Sequence, residues 1–394
     1  MKYFQYGSQT IDDTDIAAVT KTLRSKFLTS GPNINEFESK ISKYVGSKYA
    51  VACNSGTAAL HMAFKAIGLK KNDKVILPAI NFIAAANLCK LMGAKIYFAD
   101  VDKFTGQMTP KTLIECLEKN RIRKLKMFCT MYNGGAPLNV VEFKKLKKEL
   151  RCYIVEDCCH ALGGMYSKKK KEYVGNCKYG DIATFSFHPV KTITTGEGGM
   201  LVTNSSIFFK RAKLFRNHGM EKKIIPGKNN WSYDVREVGL NYRMSEIQSA
   251  LGISQLKKIN KFISKRELVA QKYNQQFDKI NLAESFKNLN KDIKSAWHLY
   301  VINFDFKKLR INKEAFIQKL HKSGVGVQIH YIPNYYQPLY TKQKKSYAGV
   351  KKYFDNSLSI PIHPNLTNSD VYNIIKIITG LINKYLQKKY ISNL

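Results

Sequence analysis

Between residues 49 and 203 the chain keeps returning to one pattern: a short apolar run, then a stretch of helical length. The runs are "YAVAC" (49–53), "KVILP" (74–78), "KIYFAD" (95–100), "KMFCT" (126–130), "YIVED" (153–157), "DIATFSF" (181–187) and "GMLVT" (199–203). Such runs, apolar on both alternating sets of positions, suit strands covered on both faces. Stretches such as "TAALHMAFKAIGL" and "NFIAAANLCKLMGA" separate the first five. Strands that alternate with helices pair in parallel, so the expected fold class is α/β, with a largely parallel seven-stranded sheet and helices on its faces. After "NYRMSEIQSALG" the pattern changes. Leu256, Ile259, Ile263, Ala270 and Tyr273 fall on one face of a predicted long helix. Strand-like "LYVINFDF" and "GVGVQIHY" then mix with helix-like "KEAFIQKLHKSG" and "SDVYNIIKIITGLINKYL". The expected division is therefore 1–250 as a large α/β domain and 251–394 as a linking helix with a smaller α+β domain.

Size permits this. The 394 residues, 44% of them hydrophobic, can bury a substantial core, about two or three domains' worth. The start, "MKYFQYGSQTIDDTD", has no apolar leader, and no stretch reaches the roughly 18 continuous apolar residues of a membrane span. A cytoplasmic protein that contacts no membrane is expected. The eight cysteines form no CxxC pair and mostly sit among apolar residues, which predicts reduced core thiols and no metal site. The net charge of +36 suits a polyanionic partner, but the lysines are spread along the chain, and the dense runs "SKKKKE" and "TKQKKS" read as solvated loops. No nucleic-acid motif of fixed spacing is present, so no nucleic-acid partner is expected. A phosphorylated or nucleotide-linked substrate would benefit from the same field.

The chemistry is carried by polar residues at strand ends. In "CNSGTAALHMAF" a strand gives way to a helix whose first turn offers Gly56 and Thr57 to a phosphate. "YIVEDCCHALGG" puts Asp157 at the carboxyl end of a buried strand, where open α/β sheets bind ligands, with His160 three residues on. "SFHPVKTITTGEGGM" sets Lys191 between the end of an aromatic strand, Ser186, and a glycine pair. Pyridoxal phosphate needs a lysine to carry it, an acid for its ring nitrogen, donors for its phosphate and a flat group against its ring. Lys191, then Asp157, then Gly56, Thr57 and Ser186, and finally Phe82 in "PAINFIAAAN" meet these needs in turn.

With those residues placed, the sequence resembles the DegT/StrS-type sugar aminotransferases, pyridoxal-phosphate enzymes of the aspartate aminotransferase fold (fold type I). The resemblance runs over almost the entire chain, through "FLTSGPNINEFESKISKYVGSKYAVACNSGTAAL", "EDCCHALGG", "SFHPVKTITTGEGGMLVTN", "FRNHGM" and "LNYRMSEIQSALGISQLKK". It implies that Lys191 is the catalytic lysine, that Asp157 serves the ring nitrogen and that His160, where many relatives carry glutamine, supports the cofactor hydroxyl. Asn241 in "LNYRM" matches a phosphate ligand that relatives supply from the neighbouring subunit, which implies a homodimer with shared sites. Tyr6, Lys26 and Thr29, together with His330, Tyr331 and Tyr335 of "QIHYIPNY", match regions that line the nucleotide-sugar pocket. The implied substrates are L-glutamate and a UDP-linked 4-keto sugar of the pseudaminic acid route. Relatives acting on dTDP or GDP sugars, or at C3, share the same cofactor motifs. Dehydratases of this fold typically carry histidine in place of Lys191, which argues for amino transfer. The lysine run at 168–171 departs from the family pattern within a loop.

Overall fold

In the computed structural model, which describes residues 2–222, 232–280, 283–285, 290–343 and 347–391, the seven apolar runs pair into one sheet. Its strands are β1 (Tyr49–Cys53), β2 (Lys74–Pro78), β3 (Lys95–Ala99), β4 (Met127–Met131), β5 (Tyr153–Asp157), β8 (Ile182–Ser186) and β9 (Gly199–Thr203), with the hairpin of β6 (Met165–Ser167) and β7 (Glu172–Tyr173) outside it. The order is β1-β9-β8-β5-β4-β2-β3. Neighbours from β3 to β8 run parallel, and β9 is antiparallel to both β1 and β8. The lysine run at 168–171 forms the turn of the β6–β7 hairpin, and the end of the run at 341–346 lies outside the described residues.

Alternate side chains of each strand enter different cores. Val51, Leu77, Cys129 and Leu201 pack with α3 (Gly56–Ala66), α4 (Ala84–Leu91) and α7 (Ser206–Arg216), preceded in the chain by α1 (Asp13–Leu23) and α2 (Pro32–Val45). Ala52, Phe185, Met200 and Val202 point the other way, against α2, α8 (Glu246–Leu256) and α9 (Ile259–Phe277). Ile76, Phe128 and Ile154 extend that second face under α5 (Pro110–Lys119) and α6 (Val140–Leu150). Burial on both faces explains the uninterrupted apolar runs.

The expected long helix is two. Leu256 ends α8, and α9 starts at Ile259 after a break at Lys257 and Lys258. Lys258 there turns its amine to Asp12 (2.7 Å) and Asp15 (2.6 Å) before α1 and within it. Ile259, Ile263, Ala270 and Tyr273 are buried on α9 as their spacing predicts. Glu246 at the start of α8 supplies what α2 lacks: Gly31 has no side chain to cap that helix, so the buried carboxylate accepts from Gly31 N (3.0 Å), Asn33 N (2.7 Å) and Ile34 N (3.2 Å).

The remaining strands are β10 (Met220–Lys222) with β11 (Tyr233–Val235), and β12 (Ala283–Ser285), β13 (Tyr300–Phe304) and β14 (Ser357–Ile360) in an antiparallel three-stranded sheet. That sheet shares a core with α9, with α11 (Lys313–Lys322), which follows the single turn α10 (Phe306–Leu309), and with α13 (Asn368–Ile391), which follows α12 (Ala348–Asn356). The start of the chain joins this unit, for Phe4 bridges to Val325 and is buried in the same core. Six of the eight free cysteines are buried. Among the described residues no helix is long and apolar enough to cross a membrane.

β1 is an edge strand, and its open edge is closed by an ion pair. Glu38 on α2 accepts from Ala52 N (2.9 Å), and Arg216 donates both to Glu38 (2.5 Å) and to Ala52 O (2.8 Å), all largely out of water. The pair therefore fixes β1 three residues before the turn into α3. Replacing one member leaves the other buried without its partner: Glu38→Ala should lower stability by about 3 kcal/mol, read as a shift in urea unfolding, and a change below about 1 kcal/mol would refute this account of the edge.

Candidate active site

The carboxyl ends of the parallel strands converge beside the start of α3. Ser55 caps that helix, its hydroxyl accepting from Ala58 N at 3.1 Å, so the amides of the first turn face outward from the sheet. Gly56 must be glycine here, because a Cβ would sit 2.8 Å from Ser186 Cβ and 3.4 Å from Cys159 Sγ. Gly56, Ser186 at the end of β8 and Cys159 after β5 thus form one cradle, with Thr57 exposed at its rim. Asp157 ends β5 and is buried, its carboxylate accepting the Cys159 amide at 3.2 Å.

Lys191 is half-buried as a residue, and its amine end lies inside the protein near Asp157 and Cys159. Burial holds its pKa below the usual lysine value, and the Asp157 carboxylate offsets this in part, while burial raises the Cys159 pKa well above the ordinary thiol value and keeps it a neutral thiol. Three imidazoles stand beside it. His298, just before β13, brings Nε2 to 3.5 Å from the Lys191 amine and packs its ring 4.2 Å from that of His160. His160 Nε2 lies 2.9 Å from the Tyr331 hydroxyl, and His330 Nδ1 lies 2.8 Å from Ser359 Oγ. Burial, reinforced by the Lys191 charge, lowers the pKa of all three histidines, that of His330 to about 3. Around the lysine the protein therefore presents polar but uncharged rings.

Phe82 is 55% exposed at the end of the β2 crossover, its ring 5.9 Å from that of Tyr331. Tyr6 reaches the same wall, 5.6 Å from the His330 ring, and its carbonyl accepts Ile362 N. Lys191, Asp157, His160, Ser186, Gly56, Phe82, His330, Tyr331 and Tyr6 are thus brought to one place. Tyr335 is not: it is buried in the core against Tyr336 (4.9 Å) and Tyr347 (5.1 Å), since the 3-10 turn that holds it docks on Ala79 through Asn334. Lys26, Thr29 and Asn241 are exposed; Thr29 bridges to Ser245, Leu28 O accepts Glu246 N, and the carbonyl of Tyr242, next to Asn241, accepts Asn54 N shortly before the cradle.

Sequence reasoning missed His298, Cys159 and the residue behind His298, Arg266. "SAWHLYVIN" reads as the approach to a strand, and only its histidine, one of eight in the chain, signalled chemistry. Cys159 is no ordinary core thiol, because it borders the cradle.

The residues fit pyridoxal phosphate. The cradle admits nothing larger than hydrogen at Gly56, which leaves its amide open to a phosphate. His160 Nδ1 is buried without a hydrogen-bond partner, and a lysine of lowered pKa faces a strand-end carboxylate. Asp157 would hold the ring nitrogen, and the Gly56 amide with the Ser186 hydroxyl would hold the phosphate.

The comparisons agree with this chemistry. The chain is 37% identical over 368 residues to the UDP-4-amino-4,6-dideoxy-N-acetyl-beta-L-altrosamine transaminase of Campylobacter jejuni, covering 93% of this chain and 94% of the relative. It is 36% identical over 380 residues to the Helicobacter pylori protein of the same name, covering 95% and 96%. The solved structure of Helicobacter pylori PseC, an aminotransferase involved in the biosynthesis of pseudoaminic acid, superposes with a TM-score of 0.90 at 32% identity, over 97% of this chain and all of that one. Residues 9–379 match the DegT/DnrJ/EryC1/StrS aminotransferase family, and the chain belongs to it.

Proposed function

We propose that the protein moves the amino group of L-glutamate to C4 of a UDP-linked 4-keto-6-deoxy-N-acetylhexosamine, giving UDP-4-amino-4,6-dideoxy-N-acetyl-β-L-altrosamine. The observation that carries this reading is the enclosed Lys191 amine, held between Asp157 and His298 at the strand ends. The likeness to transaminases of that name supports the choice of sugar. Bound at this site, pyridoxal phosphate supplies an electron sink for the carbanion left when an amino acid loses its Cα proton. The protein supplies the rest. Lys191 Nζ takes that proton and, in the second half of the cycle, returns one to sugar C4. Its lowered pKa keeps a usable fraction of free amine nearer neutrality. Asp157 stabilises positive charge at the ring nitrogen, Gly56 and Ser186 hold the phosphate, and Phe82 and Tyr331 shield the reacting atoms from water.

The proposed working unit is a homodimer. Asn241, Lys26 and Thr29 are exposed, as are their apolar chain neighbours Phe27, Leu28, Leu240 and Val238, the last 80% exposed, and Thr29 bridges to Ser245. Apolar exposure of this kind suits a partner copy, whose site would receive Asn241.

Three outcomes are expected. Wild-type protein with pyridoxal phosphate should show a cofactor absorbance band that L-glutamate shifts, and Lys191→Ala should stay folded while losing at least ~100-fold in turnover. Activity on the UDP-linked 4-keto sugar should exceed that on dTDP or GDP analogues, and a preference for either of those would replace the assigned substrate. Mixing inactive Lys191→Ala and Asn241→Ala chains should restore about a quarter of wild-type activity, since hybrid dimers keep one intact site. No recovery after confirmed subunit exchange would place Asn241 outside the shared site.

A further inference from the structure

Arg266 on α9 is an arginine with 1% exposure, and its Nη1 donates to three backbone carbonyls: Ile362 (2.8 Å), His298 (3.3 Å) and Trp297 (3.3 Å). Its pKa is lowered to about 10 by burial. A charge taken out of water has to be compensated by hydrogen bonds to its surroundings. Here it pins the segment 297–298, where Trp297 has a left-handed φ of +49°, and so fixes the direction of the His298 ring.

That ring faces Lys191 with Nε2, while Nδ1 is buried without a partner. The two tautomers are unequal in this setting. A proton on Nδ1 would leave a buried N–H unbonded, whereas a proton on Nε2 leaves only a lone pair unbonded, and orphaned acceptors are better tolerated than orphaned N–H groups. The favoured tautomer therefore points an N–H at the Lys191 nitrogen. Only an uncharged amine has the lone pair to accept it. The separation of 3.5 Å is long for such a bond, as contacts in ligand-free sites are.

We infer that His298 holds Lys191 as a free amine by donating a hydrogen bond to it, and that Arg266 is the positioning residue that keeps His298 aimed. This rests on the reading of Lys191 as the proton-moving lysine. Once Lys191 has taken up a proton, an ammonium N–H meets the imidazole N–H, and the proton is passed on to carbon and not retained. The groups facing Lys191 are Asp157 at the end of β5, which favours the ammonium, Cys159 just after it, which burial keeps a neutral thiol, and His160 and His330, which stay uncharged at neutral pH. Burial first, and the Arg266 charge behind it, oppose a charge on the His298 ring. The balance between ammonium and amine is thus set by His298 against Asp157.

The test begins with a readout that does not depend on turnover and then follows turnover itself. In the protein without cofactor, the pH midpoint for acylation of Lys191, resolved by peptide mass spectrometry, should rise by about one pH unit in His298→Ala and further in His298→Asp. In His298→Gln, whose amide can donate in the same direction, it should stay within about 0.3 unit of wild type. With cofactor, His298→Ala should lower kcat by ~10-fold or more with the KM for the sugar little changed, and His298→Gln should recover most of that loss. Arg266→Lys, which keeps the charge but loses the planar three-carbonyl grip, should fall between wild type and His298→Ala in kcat. Equal labelling midpoints in wild type, His298→Ala and His298→Asp, all folded by circular dichroism, would overturn the inference. Failure of the functional reading looks different: the midpoints would separate, but the wild type would bind no pyridoxal phosphate.

Discussion

A sheet buried on both faces leaves polar side chains few places to stand, and the rest of this structure follows from that constraint. Along β4, β5 and β8 most side chains are apolar, and a buried charge among them needs hydrogen-bond partners. Glu156, in mid-protein, shows the requirement: it is buried, Oε1 of its carboxyl group accepts from the hydroxyls of both Tyr132 and Tyr166, and burial raises its pKa. One residue on, the strand ends, and Asp157 enters a space enclosed by protein yet open to a ligand. Gly56, Ser186 and Lys191 reach that space by the same route, each just past the end of a strand or at the turn that follows it. The site is the one region where parallel strands can offer polar groups without losing core.

What those groups do depends on their charges. A lysine enclosed among carboxylates would be a permanent cation, and one enclosed among hydrocarbon would lack any partner. Lys191 has one carboxylate, Asp157, and a wall of imidazoles whose burial keeps them neutral. Rings of this kind can orient an amine without fixing its charge, which a proton carrier requires because it must hold and release a proton within each cycle. Arg266 contributes from outside the wall: its charge disfavours a second cation at His298, and its hydrogen bonds fix the backbone that carries the ring.

The parts of this arrangement readable from sequence were the local ones. All seven strands of the sheet appear where their apolar runs lie, within about a residue. Asp157, Ser186, Gly56 and Lys191 could be singled out from sequence because a strand end and the residues beyond it are close in the chain. Contacts between distant segments were not readable. His298 meets Lys191 across 107 positions, and nothing in "SAWHLYVIN" names its partner. The break between α8 and α9 was hidden because both helices bury the same apolar face, while the lysine that turns there answers to Asp12 and Asp15 near the other end of the chain. Tyr335 misled for the opposite reason: its neighbours in "QIHYIPNY" do reach the site, but a 3-10 turn after Pro333 sends its ring into the core.

The charge of +36 takes its meaning from the same separation of inside and outside. Screening at physiological ionic strength confines the influence of an exposed lysine to about 8 Å, and the ring wall around Lys191 is built from groups that carry no charge. The surface lysines can raise the local concentration of an anionic substrate such as the proposed UDP-linked sugar, an effect on encounter rate that falls with salt. They cannot set the protonation state of an amine enclosed by His298, His160 and Asp157, which answers to its immediate neighbours. On the proposed mechanism, attraction of the substrate and readiness of the base are therefore separable, the first carried by the exposed lysines and the second by Lys191, Asp157, His298 and the arginine behind it.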